Sequence, residues 1–256
     1  MYLTYFGANS WLLDWNTLRI LIDPWLVGSL VFGNQDWLFK GDRQEPIEPL
    51  PDNIDLILLS QGLEDHAHRP TLEKLDRTIP VVGSPNAVKV VEQLGYQHIT
   101  ELAPGHAFTF NAELEIHAFS GAPIGLQVEN GYLLKHLGQG TTLYYEPHGF
   151  PPSQVDQFAP VDIVISPVVN LELPLVGPII KGHRSAPELA TLLTPKAFFP
   201  TAAGGDVNYS GALMSFLKTV GDIDAFRSTL SQRHLATQVI DPMPREPVEV
   251  TVESKA

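Results

Sequence analysis

Residues 54–70, IDLILLSQGLEDHAHRP, decide how the rest of the chain is read. The first part is a short apolar run of the kind that forms a buried strand. The second part, from Ser60, crowds Gln61, Glu64, Asp65, His66 and His68 directly behind it. A polar cluster at the C-terminal end of an apolar strand is where α/β proteins place their working groups. Asp65, His66 and His68 bring one carboxylate and two imidazoles together, a donor set that suits zinc, manganese or iron. A surface loop with ordinary hydrogen-bonding Asp and His would carry the same letters.

Outward from this stretch the chain is cut by 22 prolines and 20 glycines into short apolar runs bounded by turn residues, which is a strand-rich pattern. Strands are expected at residues 3–6, 11–14, 19–22, 55–59, 81–83, 113–118, 131–135, 142–145, 163–166 and 197–199. Helices are expected at 71–75, 86–94, 186–193 and 211–220, where apolar residues recur at three-to-four-residue spacing. In the second of these, Ala87, Val88, Val90, Val91 and Leu94 make one face behind an entry turn at Ser84-Pro85. In the last, Leu213, Phe216, Leu217 and Val220 do the same. The order fits two sheets with helices outside in one domain over residues 1–240, followed by an extended, exposed tail at 241–256.

Composition narrows the function. There is no cysteine among the 256 residues, which excludes disulfides, zinc ribbons, iron–sulfur clusters and thiol nucleophiles. Any transition metal must sit on His, Asp or Glu. Sixteen basic residues against 29 acidic ones give a formal charge of −13, which argues against a nucleic-acid binder. No apolar run approaches the roughly 20 residues of a membrane helix. The opening MYLTYFGANSW shows no basic segment ahead of an apolar one, so a soluble, cytoplasmic protein is expected. No Gly-x-Ser-x-Gly or phosphate-loop pattern appears.

Two further clusters hold polar side chains. LYYEPHG, residues 143–149, ends a strand in Glu146 and His148, which are either ligands or an acid/base pair, unless the segment is simply a tight turn set by Pro147 and Gly149. Residues 181–183, Lys-Gly-His, precede a helix, whose N-terminal N–H groups favour an anionic substrate group; the alternative is a solvated loop with Ser185 as cap. The aromatic stretch Trp25–Phe39 is either core or, where exposed, a lid or a homo-oligomer surface.

The order of these segments resembles the metallo-β-lactamase superfamily, in particular its ascorbate-6-phosphate lactonase-like branch, over roughly residues 1–210. Asp23-Pro24 stands at the family's strand-Asp-Pro, and LILLSQGLEDHAH at its strand-Thr/Ser-His-x-His-x-Asp-His. AFSGAPIG, ENGYLL, LYYEPHG and KAFFPTAAGG then follow in the family's order. The resemblance implies a four-layer αββα sandwich of two mixed sheets flanked by helices, and metal-assisted hydrolysis of an ester, lactone or phosphorylated small molecule.

Residue by residue, the first metal site of the family falls on Gln61, Leu63 and Ala122 and is lost. The second falls on Asp65, His66 and, in place of an aspartate, His148, while its terminal histidine has become Thr201 or Ala202. The resemblance therefore implies one divalent metal at most, on Asp65, His66 and His148, with His68, Glu146 or His183 as a further ligand. Asp65, Glu146 and His148 are the candidate catalytic groups, and Gln61 and Lys181 the candidate substrate contacts. Two alternatives stand beside this reading: a fold that has kept a small-molecule ligand or assembly role after losing catalysis, and a metal-free acid/base enzyme with His66 or His148 as base and Glu146 as acid.

Overall fold

The computed structural model describes residues 1–15, 17–124, 127–202 and 205–251. They form two compact units, one from Met1–Leu102, Gly204–Phe216 and Pro242–Val250, the other from Ala103–Ala203, Leu217–Asp241 and Thr251–Ala256.

Among the described residues, the first unit has a seven-stranded mixed sheet in the spatial order Pro247–Glu249, Tyr2–Tyr5, Trp11–Trp15, Leu18–Ile22, Leu56–Leu59, Val81–Gly83, Ile99–Glu101. The first four strands pair antiparallel and the last three join in parallel. All four residues of Leu56–Leu59 are buried, as expected of a parallel strand covered on both faces. Helix α1 (Arg69–Lys74) and helix α2 (Pro85–Gln93) belong to the parallel half. Ser84 caps α2 through Ala87 N at 3.4 Å, Pro85 opens it, and Ala87, Val88, Val90 and Val91 are buried on the predicted face. Gly62 is required where the polar loop passes α2, because a Cβ there would lie 2.7 Å from Asn86 O. A three-stranded sheet of Val207–Ser210, Lys40–Arg43 and Leu30–Val31 completes this unit.

The second unit is built in the same rhythm. Its seven-stranded sheet runs Gln238–Val239, Ala197–Pro200, Ile163–Ser166, Thr142–Tyr145, Gln127–His136, Leu114–Ile124, Ala107–Phe110, antiparallel over the last four and parallel over the rest. Helix α3 (Gly182–Leu193) and helix α4 (Ile223–Gln232) bury Ala186, Leu189, Ala190, Leu193, Phe226 and Leu230 in one apolar cluster with Val164 and Phe198. A small sheet joins Gly177–Lys181, Asn170–Leu173 and Lys218–Val220. Two mixed sheets with accompanying helices are the α/β class expected from the sequence.

Three local expectations change. Residues 211–220 are not a helix: Gly211 sits at φ 106° with no room for a Cβ beside Leu38 O, a 3-10 turn covers Ala212–Ser215, and Lys218–Val220 pairs with Asn170–Leu173. The helical spacing of Leu213, Phe216, Leu217 and Val220 therefore has no buried face, and Phe216 is 61% exposed. The helix lies one element later, at α4, where Asp222 accepts from Ala225 N at 2.7 Å. In the tail, Pro247–Glu249 is extended but pairs with Tyr2–Thr4; residues 252–256 lie outside the described residues. The aromatic stretch divides, Trp25 being fully buried and Trp37 66% exposed. Among the described residues, no helix is long and apolar enough to cross a membrane.

Candidate functional site

In the first unit the parallel pairing of Ile22 with Leu58 brings the C-terminal ends of two buried strands side by side. Asp23 follows one and Ser60 the other. The Asp23 carboxylate accepts from Ser60 N at 2.7 Å and from Ser60 Oγ at 2.5 Å. The chain then turns, with His66 N donating to Leu63 O, and the His66 ring comes back to the same carboxylate, Nδ1 lying 2.7 Å from Asp23 Oδ2. Asp23, Ser60 and His66 are fully buried. An ionised carboxylate only accepts, so both His66 ring nitrogens carry a proton here, Nδ1 facing Asp23 and Nε2 facing Asp65 Oδ2, 3.1 Å away. Burial alone would lower the His66 pKa, but the charges of Asp65 and Asp23 outweigh it and hold the imidazole well above its usual 6.5.

His68, the further candidate ligand of this loop, has both ring nitrogens engaged elsewhere. Nε2–H donates to Ser29 O at 3.2 Å, which leaves Nδ1 as acceptor for the Thr71 hydroxyl at 3.0 Å. Thr71 Oγ1 in turn accepts from Leu26 N at 2.8 Å and Val27 N at 3.3 Å. This network needs a neutral ring, and burial pushes the His68 pKa down to about 4 against the backbone hydrogen bond to Ser29 O, with the Arg43 charge adding to the fall. Gln61 is buried at the strand end and Leu63 is half-exposed.

The second unit repeats the carboxylate–imidazole device. Strand Thr142–Tyr145 ends in Glu146, whose carboxylate gathers the turn that follows by accepting from His148 N (3.2 Å), Gly149 N (2.5 Å) and Phe150 N (2.9 Å). Gly149, at φ 78°, packs on the start of α3, where a Cβ would lie 2.8 Å from Gly182 N and Ser185 Oγ. Burial, then the charge of Glu129, raises the Glu146 carboxyl to about 7, against the pull of His148 and the turn's N–H groups. His148 Nδ1 lies 2.8 and 2.9 Å from the two oxygens of Glu129.

Lys181 N donates to His148 O at 2.9 Å, and its ammonium sits 4.1 Å from the centre of the Phe150 ring. Ser185 Oγ donates to Lys181 O rather than capping α3. His183 is exposed, its N–H donating to Asn170 Oδ1 at 3.1 Å and its ring lying against Gly221. Ala122 and Thr201 are buried.

The first unit thus groups Asp65 with His66 and sets His68 apart in its own network. The second groups Glu146, His148 and Lys181, with His183 at the other side of the α3 start. Sequence reasoning missed Asp23 and Glu129 as partners of the two histidines. Asp23 stood in the strand-Asp-Pro signal directly after Leu18–Ile22, and Glu129 in the Glu-Asn-Gly-Tyr segment inside strand Gln127–His136; both are fully buried.

Solved structures share the fold. A possible metal-dependent hydrolase from Veillonella parvula DSM 2008 is similar at a TM-score of 0.74 and 12% identity, covering 98% of this chain and 99% of its own. An isothiocyanate hydrolase from Delia radicum gut bacteria reaches 0.70 at 15% identity, with 98% and 99% covered. Igni18, a metallo hydrolase from the hyperthermophilic archaeon Ignicoccus hospitalis KIN4/I, reaches 0.68 at 18% identity over the same shares. No curated protein matches the chain in sequence. The sequence family described as a beta-lactamase superfamily domain matches residues 2–202, and with that match over most of its length the chain belongs to the metallo-β-lactamase-fold family.

Proposed function

We propose that this chain is a hydrolase of an ester, lactone or phosphorylated small molecule that works with one divalent metal at most. The observation that carries this reading is the orientation of His66: Nδ1 is tied to the buried Asp23 at 2.7 Å, and Nε2 faces the Asp65 carboxylate at 3.1 Å. Metal-ligating histidines are held by a carboxylate on their other nitrogen in this way. The donor chemistry fits a single ion of zinc, manganese or iron, with Asp65 and His66 as ligands and His148, by its place in the family's order of motifs, as the third. It does not fit a second ion, because Gln61, Leu63 and Ala122 stand where that ion's histidines belong. The Veillonella protein is described as a possible metal-dependent hydrolase and the Ignicoccus protein as a metallo hydrolase, which supports the class and leaves the substrate to this chain's own residues.

When bound, such an ion supplies Lewis-acid polarisation of the scissile carbonyl or phosphoryl oxygen. The chain's own contribution is orientation and proton handling. Asp23 fixes the His66 ring, Asp65 offers a carboxylate oxygen as proton acceptor, and Lys181 offers a cation to an anionic substrate group. Elemental analysis of protein purified without chelator tests the reading. Stoichiometric metal in the wild type and its loss in His66→Ala are expected; folded protein that stays metal-free after incubation with zinc, manganese and iron overturns the metal-dependent form of the reading.

One observation favours a second reading. With carboxylates at both ring nitrogens, a protonated His66 is neutralised without any metal, which suits acid/base chemistry or a non-catalytic binding role. Hydrolysis that persists in chelator selects the acid/base form.

A further inference from the structure

We infer that Glu129 is the positioning residue of His148, a buried carboxylate that fixes the imidazole in its Nδ1–H form so that Nε2 is the atom offered to metal or substrate. The inference rests on the reading of His148 as a ligand or base and names the group that makes it one. Glu129 lies on strand Gln127–His136 and is fully buried, while His148 follows the neighbouring strand Thr142–Tyr145. Both carboxylate oxygens face Nδ1, at 2.8 and 2.9 Å. A carboxylate has no proton to give, so the hydrogen of this bond belongs to the ring, and the neutral ring then carries its lone pair on Nε2.

The surroundings are built to keep that acid in place. On the strand Leu114–Ile124, Gly121 leaves the space: a Cβ there would lie 3.4 Å from Glu129 Oε2 and 3.3 Å from Glu129 O. Gly131 does the same for the second buried acid, since a Cβ would lie 3.3 Å from Glu146 Cγ and 3.1 Å from Tyr144 Oη. The His148 main chain is held as well, its N–H by Glu146 Oε1 and its carbonyl by Lys181 N. Backbone and ring are thus fixed by separate groups. A fully buried carboxylate beside a second one is costly unless paired. Glutamine would fill the same volume without that cost, yet its amide can present either oxygen or NH2 to Nδ1 and so would not select one tautomer.

The test reads the tautomer directly. Long-range ¹H–¹⁵N spectra of the folded protein, at a pH where His148 is neutral, should show Nδ1–H in the wild type. Glu129→Gln should give a mixture of tautomers at unchanged secondary structure, and Glu129→Asp should restore part of the Nδ1–H population. In parallel, cobalt(II) titration followed by its visible absorption should show Glu129→Gln binding about 10–100-fold more weakly than wild type. Wild-type His148 in the Nε2–H form overturns the inference, as does a Glu129→Gln protein with unchanged tautomer and unchanged affinity. Should Glu129→Gln not fold, the wild-type spectrum alone decides. Failure of the wild type to bind cobalt, with His148 still held as Nδ1–H, sinks the metal reading and leaves the positioning role standing.

Discussion

Replacing Thr71 by Val keeps the shape of a fully buried side chain and removes one oxygen. That oxygen serves three neighbours: it accepts from Leu26 N at 2.8 Å and from Val27 N at 3.3 Å, and its hydrogen goes to His68 Nδ1 at 3.0 Å. The Val27 contact is the long arm of a shared acceptor, so two well-made hydrogen bonds are lost and their buried partners find no water. At about 1–3 kcal/mol per buried group left unsatisfied, Thr71→Val should destabilise the fold by about 2–6 kcal/mol. For a chain of this size that is a fall of roughly 4–24 °C in Tm. Thr71→Ser keeps the hydroxyl and removes one methyl, which should cost only about 1 kcal/mol. Urea unfolding followed by circular dichroism measures both. A Val variant as stable as the wild type, or more stable than the Ser variant, would refute the claim that one hydroxyl ties the 25–29 segment to α1.

The same network sets a pH dependence. With its folded pKa lowered from 6.5 to about 4, His68 takes up a proton more readily in the unfolded chain. It therefore contributes no penalty above pH 6.5, an increasing loss of stability as pH falls from 6.5 to about 4, and a constant one below, about 3 kcal/mol in all. Comparing unfolding curves at pH 7 and pH 5 should show a larger loss in the wild type than in His68→Asn; equal losses would remove His68 from the account. Gly182→Ala should be among the most damaging single-methyl changes, at least about 3 kcal/mol, because its Cβ would lie 2.2 Å from Pro167 O and 2.7 Å from Val168 N, both main-chain atoms. Normal thermal stability in that variant would show that the start of α3 can shift freely.

How much of this was readable in advance depended on where the partner sat in sequence. The run Leu56–Leu59 and the cap-and-stripe pattern around Ser84 and Val91 announced a buried strand and a helix, since their signals are local. Residues 211–220 carried equally regular spacing and misled, because pairing with Asn170–Leu173 lies some fifty positions away and overrides the local period. The site divides along the same line. Asp65 and His66 were recognisable as adjacent letters of a motif. The residues that orient the two histidines were not, since Asp23 is 43 positions from His66 and Glu129 is 19 from His148, and only strand register brings them together. Glu146, read as ligand or acid, spends both oxygens on the turn that carries His148.

Strand Pro247–Glu249 pairs with Tyr2–Thr4, so this early strand receives its outer neighbour from a segment made long after it. Throughout translation of residues 103–203 that edge stands open, while nearly all of the other seven-stranded sheet can close on itself within a contiguous stretch. An unpaired edge is a template for pairing with another nascent chain. Closure of that edge therefore waits for the segment from Pro242 to Val250. A chain cut short before that segment keeps an open flank, and one that includes it seals the flank within the same molecule.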